Sequence, residues 1–219
     1  MIEAACLFQT RCLRDNKVIR APKGTTIFMP EQRTSYVYHL HEGVVGFFQI
    51  DIDGREIVTT LTVPPLLIGF AGFAGMDSKR HILHITEART VTQVVYCRTQ
   101  REAVWDLMDD RQARAQIMEL ICGTALLTGR VSGSAIAGDI EPRILTILDV
   151  LGQSVGTHDA LGRIVITGIT HDDVAAMAKV TRPTMSRALE KLQERGVIKI
   201  ARRCIVLIKP DVLRLNRWF

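Results

Sequence analysis

Hydroxyls and guanidinium groups crowd into one short stretch of this 219-residue chain, Thr181-Arg182-Pro183-Thr184-Met185-Ser186-Arg187. Wound as a helix over Arg182–Glu194, it turns Met185, Ala188, Leu189 and Leu192 to a core and leaves Arg182, Thr184, Ser186 and Arg187 on the other face. A guanidinium offers a rigid donor fork that fits the O6 and N7 acceptors of guanine, and short hydroxyls reach phosphates or base edges. That chemistry is recognition of a nucleic acid. The sequence has no phosphate-binding glycine loop, nucleophile elbow, HExxH pair or credibly placed pair of carboxylates, so no catalytic residue and no enzymatic activity are expected.

Local signals position that helix. Thr170 caps a preceding short helix whose first turn is acidic at Asp172 and Asp173 and whose inner side is Val174, Ala175, Met177 and Ala178. Val180 ends it, Thr181 caps the second helix, and Pro183 sits in the first turn. Two short helices joined tightly, the second basic at its start, are the layout of a helix-turn-helix. After Gly196, Val197–Ile200 and Cys204–Ile208 read as a β-hairpin wing whose tip, Arg202 and Arg203, is suited to phosphate. Charge agrees with this placement. From Lys179 to Phe219 eleven Lys/Arg face three acids, while the whole chain carries only +5, so the remainder is slightly acidic.

The N-terminal half reads differently. Short β-type segments, Thr25–Met29, Tyr36–His41, Val44–Ile50, Glu56–Val63, His81–Thr86 and Thr90–Tyr96, follow one another at close spacing, with Asp53-Gly54 as a hairpin turn. A long helix is expected from Asp110 to about Ala137. Ile117, Leu120, Ile121, Thr124, Leu127 and Val131 recur along it as a narrow seam, fitting either a paired helix or packing on its own barrel. Gly123, Gly129 and Gly133 weaken this helix by about 1 kcal/mol each relative to alanine, which implies close helix approach or a deformable segment. Asp139 and Pro142 open the next helix, Arg143–Gln153; a polar loop, Ser154–Gly162, and a strand, Arg163–Thr167, follow. The expected division is a β-barrel sensor domain over 1–109, a dimerisation helix over 110–138 and a winged helix-turn-helix over 139–219.

The segments Ile169–Ala175, Val180–Leu189 and Leu192–Ile198, together with the order barrel, long helix, winged helix, resemble the cyclic AMP receptor and fumarate-nitrate regulator (Crp-Fnr) family of bacterial transcription factors. The resemblance implies an α+β fold: an N-terminal double-stranded β-helix of the cyclic-nucleotide-binding, jelly-roll type, a long dimerisation helix and a C-terminal winged helix-turn-helix. It implies base contacts from Arg182 and Arg187. Backbone contacts are expected from Thr170, Thr181, Thr184, Ser186, Arg202 and Arg203. Pro183 stands where the family often has glutamate, which removes one possible base contact, to cytosine, and leaves the operator sequence open. A homodimer paired through the seam, a near-palindromic double-stranded DNA target and RNA polymerase as partner are the further implications.

The family's effector pocket maps onto Gly69, Phe70, Arg80, His81, Leu127 and Thr128. Phe70 replaces the carboxylate that holds the ribose hydroxyl, and burying that hydroxyl unpaired costs about 1–3 kcal/mol, which argues against cyclic AMP as the small-molecule signal. The cofactor is open. His39, His41, His81 and His84 are read as packed or surface residues and no metal site is expected. A heme, iron-sulfur or thiol-based redox or gas sensor of the same family is the alternative, with Cys6, Cys12, Cys97 and Cys122 as its thiols. The five cysteines match no structural-zinc or disulfide spacing. A cyclic-nucleotide-binding module serving a protein partner is opposed by Phe70 and the intact helix-turn-helix, and a cupin-like enzyme by the missing catalytic motifs. The apolar run Val63–Ala74 is broken by Pro64 and Pro65, and Met1–Arg14 lacks a signal-peptide pattern, so a cytoplasmic protein without a membrane segment is expected.

Overall fold

Apolar residues at alternate positions, punctuated by turns, build two four-stranded sheets in the N-terminal half. A computed structural model describes residues 18–54, 56–70, 83–136, 139–201 and 204–209, apart from the side chains of 134–136. The strands are β1 Ile19–Ala21, β2 Thr26–Phe28, β3 Tyr36–Glu42, β4 Val45–Ile50, β5 Glu56–Thr62, β6 Leu67–Ile68, β7 Glu87–Thr90 and β8 Val94–Gln100. One sheet has the order β1-β8-β3-β6 and the other β2-β7-β4-β5. Tyr38, Leu40, Val94 and Tyr96 meet Phe28, Val45 and Ala88 in a common core. Burial pushes the Tyr38 and Tyr96 phenols above their ordinary pKa, so both stay protonated. The architecture is the α+β one expected.

Two of the expected strands come out differently. Thr90–Tyr96 is not continuous: β7 ends at Thr90 and β8 begins at Val94. Between them the Thr92 hydroxyl accepts the Val44 N–H (2.9 Å), and the Val91 N–H reaches the Val44 carbonyl (2.8 Å). The β-branched run Val91-Thr92 has high strand propensity, and these long-range bonds override it. The described part of His81–Thr86 holds only an isolated bridge from Leu83 to Arg33. There His84 lies flat on Phe28, with ring centroids 3.6 Å apart and planes at 10°.

Helices α1 Arg101–Leu107 and α2 Arg111–Ile136 follow. Residues 1–48 and 61–128 belong to one compact unit and 49–60 and 129–219 to a second, so the division passes through α2. The α2 seam faces inward, as in the second of the two arrangements its spacing allows, packing within its own chain. Ile117 is fully buried with Val37, Leu67, Cys97 and Val104, and Leu120 and Ile121 pack on the same cluster. Thr124, Leu127 and Val131 are buried too. A Cβ at Gly123 would sit 2.9 Å from the Leu66 side chain, which accounts for glycine there by close approach; Gly129 and Gly133 face open space. The outward stripe is instead Ala115, Met118, Cys122, Ala125, Leu126 and Gly129, all exposed.

In the second unit α3 Ile140–Val155 buries Ile144, Ile147, Leu148 and Leu151. Its sheet has the order β11-β12-β10-β9, with β9 Gly156–His158, β10 Ile164–Thr167, β11 Ile198–Ala201 and β12 Cys204–Leu207. The short β9 lies inside the segment expected to be loop. Its pairing with β10 is closed by Asp159, which accepts from the Leu161 and Arg163 backbone N–H groups and from the Arg163 guanidinium (2.9, 3.0 and 2.7 Å). Those bonds hold the Asp159 carboxyl below its ordinary pKa.

Burial lowers the His84 pKa from 6.5 to about 4, so the folded chain keeps the ring neutral. Below pH 6.5 the unfolded chain takes up the proton that the folded one refuses. Stability is therefore whole above pH 6.5 and falls by on the order of 2–3 kcal/mol as pH drops toward 4. Urea unfolding midpoints should show this decline in the native chain and a flatter profile in His84→Phe.

Candidate nucleic-acid interface

Helix α4, His171–Met177, begins with a reciprocal cap. The Thr170 hydroxyl accepts the Asp173 N–H at 3.1 Å, and the Asp173 carboxylate accepts the Thr170 N–H at 2.7 Å. Two of the donors left open at a helix start are thereby satisfied. Its end is equally specified. The Lys179 N–H bonds the Ala176 carbonyl (3.1 Å) and the Val180 N–H bonds that of Ala175 (3.0 Å), with Lys179 in the left-handed region at φ 53°. Such a closure usually takes glycine.

Helix α5, Arg182–Glu194, starts one residue after the cap Thr181, whose hydroxyl lies 2.9 Å from that of Thr184. At its end Gly196, at φ 66°, turns the chain so that the Gly196 and Val197 N–H groups bond the Gln193 and Leu192 carbonyls (2.9 and 3.0 Å). Met185, Leu189 and Leu192 are fully buried and fix the rotation of the helix. The Arg143 guanidinium donates to the Ala178 carbonyl at 2.8 Å, tying α3 to the turn between α4 and α5. Gln193 accepts the Ile200 N–H at 2.8 Å and so joins α5 to the wing.

With the core side fixed, Arg182, Pro183 and Arg187 are exposed and Thr184 and Ser186 are half-buried. Arg182 stands 3.4 Å from Asp172 with both side chains well exposed, an ion pair of little strength in water. Its guanidinium is thus directed without being committed. Arg187 lines a groove of about 550 Å³ with Thr184, Ala188 and Lys191 of α5 and residues 139–142 at the start of α3. Thr170 and Thr181 both serve as caps, so their side chains have structural work besides any contact with phosphate. Arg202 and Arg203, at the wing tip, lie outside the described residues, as do Arg80 and His81 of the expected effector pocket, and Cys6 and Cys12. In the first unit Gly69 is buried at φ 82°, Phe70 and Thr128 are half-buried and Leu127 is buried.

A polar link within the second unit is not foreseen from sequence. Arg130, on the last part of α2, pairs with the buried Asp149 of α3 at 3.0 Å, and Gln153 donates to the other oxygen of that carboxylate at 2.8 Å. A charged residue within an apolar helix is its only sequence signal, and periodicity does not name the partner.

Residues 143–215 match the model of the Crp-like helix-turn-helix domain. The chain is 23% identical over 197 residues to the CRP-like cAMP-activated global transcriptional regulator of Mycobacterium tuberculosis, covering 90% of this chain and 85% of that one. It is 24% identical over 198 residues to the global nitrogen regulator of a Nostoc species, covering 90% and 86%. A CRP-family transcriptional regulator of Thermus thermophilus shares its fold with a TM-score of 0.73 at 21% identity, over 90% of this chain and 94% of that one.

Thr170→Ala removes the hydroxyl that accepts the Asp173 N–H, while the backbone N–H of residue 170 still donates to the Asp173 carboxylate. The expected loss is about 1 kcal/mol of stability, visible as a lower denaturant midpoint with unchanged slope.

Proposed function

We propose that this chain, which belongs to the Crp-Fnr family of transcription regulators, binds a near-palindromic operator as a homodimer, with one α5 in each major-groove half-site. The observation that carries this reading is the capped α5 with Arg182 and Arg187 exposed on it. Each arginine can reach a guanine edge by two parallel hydrogen bonds. Thr170, Thr181, Thr184 and Ser186, with Arg202 and Arg203 from the wing, would set register on the phosphates.

Pairing is assigned to the outward stripe of α2 rather than to the buried seam. Ala115, Met118, Cys122, Ala125 and Gly129 recur at alternating three- and four-residue steps, the spacing of a two-helix seam. Small residues there let two helices approach closely. Two-fold pairing then places the reading heads about 34 Å apart, one helical turn of DNA. The Arg130–Asp149–Gln153 link gives α2 a direct hold on α3, so a signal in the 1–109 domain that shifts the paired 110–138 helices would be passed to the 139–219 domain. Phe70 argues for a signal other than cyclic AMP. Acting at promoters through RNA polymerase, the protein would work in the bacterial cytoplasm. Among the described residues no helix is long and apolar enough to cross a membrane.

Arg182→Ala and Arg187→Ala should each weaken binding to a selected operator by about 1–3 kcal/mol and leave random duplex affinity nearly unchanged, as fluorescence anisotropy would show. Equal losses on both duplexes would make these residues phosphate clamps.

Met118→Glu should convert the dimer to a monomer in sedimentation equilibrium with the fold retained. Ile117→Ala should instead cost about 2–5 kcal/mol of stability without changing assembly.

A further inference from the structure

Strand pairing brings together three metal-ligating side chains that lie far apart in sequence. His39 of β3 is the register partner of Cys97 on β8. The register shifts between Leu40 and Glu42, a bulge that takes in His41. Bulges re-aim side chains, and here His41 is gathered with the other two. One ligand atom from each of His39, His41 and Cys97 lies within 4.8 Å of the others. The two imidazoles stand edge to face, with centroids 4.6 Å apart and planes at 63°.

We infer that His39, His41 and Cys97 form a binding site for a divalent transition-metal ion of the zinc class. Two imidazoles and a thiolate are the borderline-soft donors that such ions select over calcium or magnesium. Around a tetrahedral ion with bonds of about 2.0–2.3 Å, neighbouring donors sit about 3.3–3.6 Å apart. Closing the present separations takes roughly 1 Å of side-chain movement on two hydrogen-bonded strands. Three protein ligands leave a fourth position for water or an exogenous group. On binding, the Cys97 thiol gives up its proton to solvent and both imidazoles bind as neutral rings. His39 and Cys97 are 2% and 1% exposed, whereas His41 is half-buried and provides the way in.

Place gives the site its use. Cys97 belongs to the cluster on which Ile117 of α2 sits. An ion that tightens β3 and β8 there acts directly on the seat of the long helix. This use rests on the regulator reading above, while the binding site itself does not. From sequence these histidines read as packed or surface residues, because the register that sets Cys97 beside them is not visible there.

The full-length protein, reduced and stripped of metal, is titrated with Co²⁺ and followed by absorption. One equivalent should produce a thiolate-to-cobalt charge-transfer band with the d–d bands of a tetrahedral centre, displaced by Zn²⁺. Cys97→Ser should abolish the charge-transfer band. His41→Gln, a change at a half-exposed position checked for native circular dichroism, should weaken binding at least about tenfold, since even lost outer-sphere partners cost that much. Cys122→Ser and Cys204→Ser should leave the spectrum unchanged. Absence of the band at one equivalent, or its survival in Cys97→Ser, overturns the assignment. Duplex binding is scored separately on the same samples: an intact cobalt spectrum in a protein that binds no DNA would uphold the site and defeat the regulator reading.

Discussion

The seat of Ile117 on the outer face of the β1-β8-β3-β6 sheet decides what the long helix can do. With Val37, Leu67, Cys97 and Val104 closing over it, Ile117 fixes the rotation of α2 about its axis. Gly123 lets the helix come down onto Leu66. With this face buried, the exposed residues of α2 from Ala115 to Gly129 are the ones to which the proposed pairing falls. The same cluster contains Cys97, so the proposed metal ligands and the helix seat are linked by contacts within the first unit. A change at one of them is felt through packing that tolerates little slack.

A second constraint operates in the other unit. A helix that reads DNA must keep its polar face bare and still be held rigidly, and α5 is held from every side except that one. Caps fix its start, the Gly196 turn fixes its end, three fully buried side chains fix its rotation, and Gln193 and Arg143 tie its surroundings to the wing and to α3. Precision is thus obtained from groups that need never touch DNA, leaving Arg182 with only a weak exposed ion pair to give up.

The winged helix was legible in the sequence because its signals are local: Thr170 and Thr181 as caps, Pro183 in a first turn, Gly196 at a helix end. Most strands were legible for the same reason, through alternation and turns such as Asp53-Gly54. What the sequence left open or misplaced depended on distant partners. Periodicity located the apolar seam of α2 but carries no information on whether a barrel or a second helix covers it. Thr90–Tyr96 looked like one strand because propensity does not see the bonds that Val44 makes to Val91 and Thr92. The convergence of His39, His41 and Cys97 needed a strand register and a bulge, and the Arg130–Asp149 pair needed the geometry of two helices. His84 lies in a segment of strand-like sequence, whereas its stacking on Phe28 arises from chain segments more than fifty residues apart.

The most direct measurement of the central claim is selection of bound duplexes from a random-sequence pool by the full-length protein. The predicted result is a near-palindromic consensus whose half-sites are centred about one helical turn apart. Recovery of duplexes without any shared sequence, or of a single unrepeated half-site, would contradict the dimeric operator reading.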